Sequence, residues 1–272
     1  MATTGIDHVL IAVPALEPAR AELESLGFVI TPRATHERFG TANHLVVLGD
    51  AYLEAIAIEN PSPADPTSQA MLAPAIDAGG GVPALALSTT DPAASHFVLL
   101  SAGVMASEPL TWSRPADTPD GPRTASFTTM WLRSEFLPEF AAFFCQHHTP
   151  ECIYQPAWQR HPNGAVRLVG IRRRTSRDAG ELAQVLRQRL GAGAVRSGAG
   201  TSVGVSVGRH FVEYVPPASG SNCQIMLAVR SIDAAAAVLG RRASRAGDGS
   251  LRVALDCAAD VELLFVEDRN DT

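Results

Sequence analysis

An apolar run near the start of the chain reads GIDHVLIAV over residues 5–13 and has the length and residue types of a buried β-strand. A second run, AYLEAIAI over residues 51–58, has the same character. Each run contains one polar group that is costly to bury without a partner, namely the imidazole of His8 and the carboxylate of Glu54. A divalent metal ion satisfies both groups at once, so the pair predicts a metal site between two strands.

The overall composition is typical of a compact folded protein. The 272 residues are 46% hydrophobic and 18% charged, and such a chain can bury one large core or two ordinary ones. The net charge of −6 argues against nucleic acid as a partner, because nucleic-acid-binding surfaces are basic. No apolar run approaches the ~20 residues that span a bilayer. The first four residues lead directly into a strand, so neither a membrane segment nor a secretory signal is expected.

Two residue types narrow the chemistry further. The four cysteines, at positions 145, 152, 223 and 257, lack the paired spacing of a zinc ribbon or a disulfide framework, which favours a reduced, cytoplasmic protein. The chain has no lysine, since all 22 basic residues are arginine. Schiff-base chemistry, pyridoxal phosphate attachment and a P-loop each need a lysine amine, so these mechanisms are excluded.

The first 60 residues are expected to form a strand, a helix and three further strands. Residues 6–13 have the apolar character of a strand. Residues 16–26 place apolar side chains at helical spacing, and Gly27 suits the C-terminal cap of that helix. Three strands are expected to follow, at 28–30, 44–48 and 52–58. This order is a βαβββ unit.

The same order of elements recurs three more times along the chain. The second copy has a strand at 82–88, a helix capped by Asp91, a Pro- and Gly-rich loop at 108–123, and strands at 124–132 and 140–146. The third copy is expected at 165–215 and a shorter fourth copy at 224–266. Repetition at ~60–80 residues indicates duplicated supersecondary units, since the period is too long for a solenoid. The chain is therefore predicted to be an α+β protein of four tandem βαβββ modules.

Several short motifs resemble the glyoxalase-like domain branch of the vicinal-oxygen-chelate superfamily, which includes glyoxalase I, extradiol dioxygenases and bleomycin-resistance proteins. These motifs read GIDH at 5–8, GTAN at 40–43, YLE at 52–54, HHTPE at 147–151 and WQRHPNG at 158–164. The resemblance implies that modules pair edge to edge into two curled mixed sheets, each enclosing a concave cavity, or cup. It also implies an N-terminal domain of two modules at 1–160 and a C-terminal pair of degenerate modules at 161–272.

The resemblance further implies a third metal ligand from the second module. The first strand of that module offers no ligand, whereas its last strand ends in Gln146, His147 and His148. Adjacent strand residues face opposite sides, so only one of the two histidines can enter the cup. The predicted ligand set is His8, Glu54 and His147, with Gln146 and His148 left open as alternatives. Two imidazoles and one carboxylate suit a divalent ion such as Zn, Mn, Fe or Ni, and the sequence does not distinguish among them.

Further polar residues near the motifs are candidates for catalysis and substrate binding. Glu151 and His161 are candidate acid–base groups if the segment after the last strand folds over the cup. A histidine in a Pro-Asn-Gly turn also suits local hydrogen bonding at the surface, and that alternative stays open for His161. Arg38 and Asn43, which flank a Phe-Gly-Thr stretch, and Trp158 are the candidate substrate-binding residues.

The second half of the chain lacks an equivalent of the first pair. Glu213 and Glu262 lie on the last strands of the third and fourth modules, but the first strands offer no imidazole, and Val166 occupies the position matched to His8. Such carboxylates are expected to pair with arginine or to face solvent. The second cup is therefore predicted to be structural. This counts against an extradiol dioxygenase, whose working metal lies in the second pair of modules.

These observations predict a glyoxalase-like metalloenzyme of lyase or isomerase type, whose ion chelates neighbouring oxygens of a small-molecule substrate. Two alternatives remain open. One is a non-catalytic small-molecule binding protein of the bleomycin-resistance type, with an aromatic-lined groove. The other is an extradiol-type dioxygenase. In each case the partner is a small molecule rather than nucleic acid or membrane, and a homodimer is left open.

Overall fold

Two eight-stranded mixed sheets, one for each half of the chain, form the framework of the protein. The computed structural model describes residues 3–61, 65–133, 135–197, 202–218 and 220–268. The strands of the first sheet are β1 Gly5–Ala12, β2 Ala34–His36, β3 Thr41–Leu48, β4 Ala51–Ile58, β5 Gly81–Ser88, β6 Leu110–Thr118, β7 Gly121–Trp131 and β8 Ala141–His147. The strands of the second sheet are β9 Ala165–Arg174, β10 Val195–Ser197, β11 Val203–Val207, β12 His210–Val215, β13 Cys223–Val229, β14 Ser244–Arg245, β15 Leu251–Ala254 and β16 Val261–Glu267.

The strand order shows that each sheet is built from two modules joined at their first strands. The first sheet has the order β2-β3-β4-β1-β5-β8-β7-β6, and the second has the order β10-β11-β12-β9-β13-β16-β15-β14. Within a module the first and last strands are parallel neighbours, whereas the two first strands, β1 and β5 or β9 and β13, pair antiparallel. The edge strands β2 and β6 contact each other, so the first sheet curls almost into a barrel. The predicted fold of four tandem modules in two curled mixed sheets is confirmed.

Five helices pack against these sheets in the described parts of the chain. They are α1 Leu16–Ser25, α2 Thr67–Asp77, α3 Pro92–Ser101, α4 Ala179–Leu190 and α5 Ile232–Leu239. In α1 the side chains of Leu16, Ala19 and Leu23 are buried, as their helical spacing requires. In α3 the carboxylate of Asp91 accepts the N–H of Ala94, which is the expected N-terminal cap. No helix in these parts of the chain is long and apolar enough to cross a membrane.

The loop predicted at 108–123 is wrong, because β6 and β7 form a long antiparallel hairpin there. Proline and glycine normally indicate a loop, but proline is tolerated on an edge strand. Pro115 lies on β6, which is the outermost strand of the sheet. The hairpin matters for function, because several of its side chains face the concave side of the sheet.

The strand predicted at 28–30 does not form, and the chain becomes extended only at β2. Val29 instead donates its N–H to Nδ1 of His161 at 3.0 Å, and Thr31 donates its N–H to the carbonyl oxygen of Leu45 at 3.1 Å. These contacts satisfy the backbone of the segment without a strand ladder. Helix α2, which the sequence analysis did not predict, contacts β4 and β5.

The two halves share one apolar core, while a second cluster fills the inner face of the first sheet. The shared core contains Val9 and Leu53 from the first sheet together with Ile171 and Leu227 from the second. A shared core means that the halves stabilise each other. The predicted division between residues 160 and 161 falls in the segment that connects β8 to β9, and it stays a prediction.

Glu22 on α1 links the two halves through hydrogen bonds and an ionic contact. Its carboxylate accepts the N–H groups of Asp256 and Cys257 at 2.8 and 2.7 Å, and it forms a 2.5 Å contact with the guanidinium of Arg242. Burial opposes the charge of Glu22, but these three donors outweigh it, so the pKa of the Glu22 carboxyl is lowered.

We expect Glu22→Gln to lower the free energy of unfolding by about 2 kcal/mol at pH 7, because hydrogen bonds to a charged acceptor are lost. Because the folded-state pKa is lowered, this contribution is complete above the ordinary carboxyl pKa of about 4.3 and disappears as the pH falls below it. Urea unfolding of both proteins at pH 7 and at pH 3 measures the effect. Glu24→Gln on the same helix is the matched control, since Glu24 forms an exposed pair with Arg20. Equal losses for the two variants would contradict the prediction.

Candidate metal and ligand site

His8 and Glu54 lie side by side on the concave face of the first sheet. Strands β1 and β4 run parallel, with His8 opposite Tyr52 and Leu10 opposite Glu54. Side chains two residues apart project from the same face of a strand, so both polar groups enter the same cavity. His8 Nε2 lies 3.5 Å from Glu54 Oε2, and the two side chains are only 5% and 8% exposed.

Asp7 is brought into this site by a β-bulge. The pairing of β1 with β5 shifts between Ile6 and His8, so that the intervening residue has no direct partner. A bulge of this kind re-aims a side chain. Asp7 Oδ1 lies 2.6 Å from His8 Nδ1 and 3.0 Å from His147 Nε2. The carboxylate therefore joins the two imidazoles.

The charge on Asp7 determines how His8 presents itself to the cavity. Burial opposes ionisation of Asp7, but the charges and hydrogen bonds of His147 and His8 outweigh it and hold the pKa of the Asp7 carboxyl well below its usual range. An ionised carboxylate only accepts hydrogen bonds, so the His8 ring carries a proton on Nδ1. In neutral His8 the lone pair of Nε2 then faces the carboxylate of Glu54.

Two acceptors at 3.5 Å need a positive charge between them, which either a proton or a divalent cation supplies. Metal-binding histidines usually donate their second ring N–H to a carboxylate, and the contact of His8 with Asp7 has that form. The donor set and its outer hydrogen bonds therefore fit a divalent metal ion.

A polar network on the other side of Glu54 includes His36, which the sequence analysis did not identify. Asn43 Nδ2 donates to Glu54 Oε1 at 2.6 Å and lies 3.3 Å from His36 Nε2. His36 Nδ1 lies 3.0 Å from Thr41 Oγ1. Burial, together with the charges of Arg114 and His8, lowers the pKa of His36 to about 3. His36 is thus a neutral imidazole facing the cavity. It lies on a strand of three residues, which is too short to show a periodic pattern in the sequence.

The third predicted ligand, His147, lies on the same face of β8 as the cup-lining Phe143 and Cys145, but it lines a neighbouring cavity beside Asp7 rather than the cup itself. The two alternatives point elsewhere, because Gln146 donates to the carbonyl oxygen of Thr90 and His148 Nε2 contacts Thr128 Oγ1. Within the described residues, Nδ1 of His147 is buried without a hydrogen-bond partner.

A second set of possible metal ligands lies beside His8, around the carboxylate of Asp7. In the described parts of the chain, the metal-ligating groups of Asp7, Cys145 and His147 lie within 4.8 Å of one another. Burial, together with the charges of Asp7 and Glu54, raises the pKa of the Cys145 thiol well above its usual range. In the absence of a metal ion the thiol therefore retains its proton at neutral pH, and binding of an ion through sulfur would release that proton.

Aromatic side chains form most of the remaining wall of the cup. Its polar lining includes His8, His36, Asn43 and Glu54, while Ser68 and Met71 come from α2. The aromatic lining residues are Phe39, Tyr52, Trp112, Phe127, Trp131 and Phe143. Arg114 of β6 adds a guanidinium to this lining. The hairpin that the sequence analysis missed thus supplies part of the wall.

Four of the other predicted site residues, namely Arg38, Trp158, Glu151 and His161, lie outside this lining. Arg38 is half exposed and pairs with Asp65, with Nε 3.9 Å from the Asp65 carboxylate. Trp158 is buried and lines a smaller adjoining cavity, which Arg114 also lines. Glu151 is exposed in a 3₁₀ turn at Pro150–Cys152.

His161 is buried and serves the backbone. Its Nδ1 accepts the N–H of Val29 at 3.0 Å, and its Nε2 lies 2.8 Å from the carbonyl oxygen of Val47. Burial lowers the pKa of His161, so the ring is neutral. Both nitrogens are used in hydrogen bonds that attach the connecting segment to the first sheet.

In the second sheet, different residues occupy the positions that correspond to His8 and Glu54. Gly170 faces Phe211 and Arg172 faces Glu213, so the residue that matches His8 is Gly170, which corrects the assignment to Val166. Arg172 Nε donates to Glu213 Oε2 at 2.7 Å. The expectation that this carboxylate pairs with arginine is confirmed.

Comparisons with known proteins place the chain among related folds. A family model described as a glyoxalase-like domain matches residues 6–191. A hypothetical protein from Staphylococcus aureus superposes with a TM-score of 0.67 at 11% identity, over 97% of this chain and 99% of that chain. A triple mutant of 4-hydroxymandelate synthase from Streptomyces coelicolor gives 0.55 at 11% identity, over 97% and 93%.

A weaker similarity completes the comparison. Methylmalonyl-CoA epimerase from Mycobacterium tuberculosis gives a TM-score of 0.38 at 18% identity, over 53% of this chain and 88% of that chain. A search of the curated proteins found no match. At these identities a structural similarity bears on the fold alone.

Proposed function

The chain belongs to the glyoxalase-like domain family, and from this membership we propose that its first cup is a metal-dependent site for a small molecule. The resemblance predicted from the short motifs is thereby confirmed. We assign His8 and Glu54 as metal ligands. The observation that supports this assignment is the 3.5 Å approach of Nε2 of His8 to the Glu54 carboxylate, with Asp7 bound to the far side of the imidazole.

The chain's own residues prepare the site in three ways. Asp7 fixes the His8 tautomer so that a lone pair faces the cavity. Asn43 holds one oxygen of Glu54 and leaves the other directed at His8. The aromatic walls surround the polar groups with apolar side chains, and electrostatic interactions are stronger in such surroundings than in bulk water. When bound, a divalent ion supplies a Lewis acid that polarises neighbouring substrate oxygens and stabilises negative charge on them.

We retain His147 as the proposed third protein ligand. It lies at the end of β8, 3.0 Å from the Asp7 carboxylate that also holds His8, and its Nδ1 atom is buried without a hydrogen-bond partner among the described residues. We propose a reaction of lyase or isomerase type. An extradiol-type oxygenation has less support, because the second sheet places Gly170 and an arginine–carboxylate pair where that mechanism needs ligands.

One observation favours a second candidate function. Six aromatic side chains line the cup, and such a lining also suits a binding protein that holds an apolar small molecule without chemistry. That function needs no metal ion, so metal binding separates the two candidates.

We expect the protein, freed of metal by chelator and then dialysed, to bind one divalent ion per chain. Calorimetric titration with Zn²⁺, Mn²⁺, Fe²⁺ and Ni²⁺ under anaerobic conditions measures the stoichiometry and the order of affinities. At an ion concentration about 100 times the Kd, binding should add about 2.7 kcal/mol to the free energy of unfolding, visible as a higher Tm. If none of the four ions binds with defined stoichiometry, the metalloenzyme proposal fails and the binding-protein alternative remains.

A further inference from the structure

Arg114 is a buried cation that lacks a carboxylate partner in the described protein. Its residue is only 7% exposed, and one terminal nitrogen donates to the carbonyl oxygen of Pro115 at 3.1 Å. Its guanidinium carbon lies 5.8 Å from the centre of the Phe127 ring. Within the described residues, its Nε is buried without a hydrogen-bond partner, and no salt bridge includes it.

A buried guanidinium normally requires a carboxylate, because removing its charge from water is costly. The acids near the cup are already engaged. The carboxylate of Asp7 contacts two imidazoles, and that of Glu54 accepts from Asn43 and faces His8. Arg114 therefore lines the cavity that also holds His8 and Glu54, and within the described residues its charge has no carboxylate partner.

We infer that the ligand of the cup is a small organic acid, whose carboxylate Arg114 binds. This inference rests on the proposed function in taking the cup as the ligand site, and it adds the substrate class. The guanidinium is planar and offers paired N–H groups that match the two oxygens of a carboxylate. A carboxylate bound here would pair with the guanidinium of Arg114, which has no carboxylate partner among the described residues.

The walls of the cup indicate what the rest of the ligand looks like. Trp112 packs edge-on against Phe39 at 5.0 Å and lies 4.8 Å from the Phe127 ring. Trp131 and Phe143, whose ring centres are 4.4 Å apart, form another part of the wall. These surfaces favour a ligand whose remaining part is aromatic or otherwise apolar. One guanidinium among aromatic rings suits a singly charged carboxylate better than a doubly charged phosphate, whose burial costs more.

The test uses aromatic carboxylates that lack a second oxygen function, so that their binding does not depend on metal. Phenylacetate and benzoate are titrated into chelator-treated protein, each beside its uncharged amide, with tryptophan fluorescence and calorimetry as readouts. We expect at least one acid to bind and its amide to bind much more weakly. Arg114→Met should weaken binding of the acid by about 30-fold or more, which for a weak probe means loss of detectable binding.

The stability of the variant distinguishes ligand binding from a structural role. Replacing a buried, unpaired charge with an apolar side chain of similar length should leave Tm unchanged or raise it. Arg114→Lys keeps the charge without the fork and should bind the acid less well than the native protein. Arg123→Gln is the matched control, because Arg123 belongs to the same hairpin and its side chain is 45% exposed.

The outcomes separate this inference from the proposed metal site. Selective binding of an acid by protein that binds no metal would support the carboxylate assignment and refute the metalloenzyme. Metal binding without any preference for acids over amides would support the metalloenzyme and refute the carboxylate assignment. The inference is also overturned if Arg114→Met binds the acids as tightly as the native protein, or if inorganic phosphate competes better than the carboxylates.

Discussion

Replacing His8 with alanine is expected to abolish stoichiometric binding of a divalent ion. The variant removes one of the three proposed ligands, and it also leaves the Asp7 carboxylate without its 2.6 Å partner. Without the imidazole that lies 3.5 Å from the Glu54 carboxylate, the site is weak for Zn²⁺ or Fe²⁺, which bind better to imidazole and carboxylate placed together. Elemental analysis and calorimetric titration of the purified variant measure the loss.

Two further variants make this result interpretable. His8→Gln keeps much of the side-chain volume and should fold even if the alanine variant leaves a cavity against Tyr52, whose ring stacks on His8 at 4.4 Å. His148→Ala is the control, because His148 lies at the same end of the sheet and is exposed. Retention of one ion per chain by both His8 variants would refute His8 as a ligand.

Asp7→Asn is expected to lower metal affinity about 10- to 100-fold without abolishing binding, because outer hydrogen-bond partners of a ligand typically have effects of this size. The amide keeps the shape of Asp7 but removes the charge that fixes the proton of His8 on Nδ1. Comparing the Kd for the same ion in both proteins at one pH measures the change. A complete loss of binding would show that Asp7 is itself a ligand.

Cys145→Ala resolves the two possible ligand sets. If the ion is held by His8 and Glu54, the loss of the thiol should change affinity by no more than a few fold. If the ion is held by Asp7, Cys145 and His147, whose ligand groups lie within 4.8 Å of one another, the variant should lose it. His147→Ala should weaken binding under either arrangement, so the cysteine variant is the informative one.

Short-range patterns in the sequence predicted much of the first module correctly. The apolar runs at 5–13 and 51–58 became β1 and β4, and their parallel pairing placed His8 beside Glu54. This worked because strand formation and the side of a strand that a residue faces depend on alternation within a few residues. The expected duplication of modules was recognisable for the same reason.

The site residues that the sequence did not predict depend on contacts between strands. Arg114 lies on a strand whose proline and glycine content predicted a loop, and only pairing with β7 reveals that it is buried. His36 lies on a three-residue strand that has too few residues for a periodic pattern. Asp7 directly precedes His8 on β1, so strand alternation predicts that the two side chains face opposite sides of the sheet. Only the bulge against β5 turns the Asp7 carboxylate towards two imidazoles.

The sequence by itself determined most of the strands, the repetition of the modules and the presence of an acid and an imidazole in two apolar strands. The tertiary structure alone decided which polar groups share the cup and which are used elsewhere. His161 illustrates the difference, since backbone groups of two distant segments take both of its nitrogens. The physical reason is that side-chain chemistry is local, whereas burial and charge pairing depend on contacts between residues far apart in the chain.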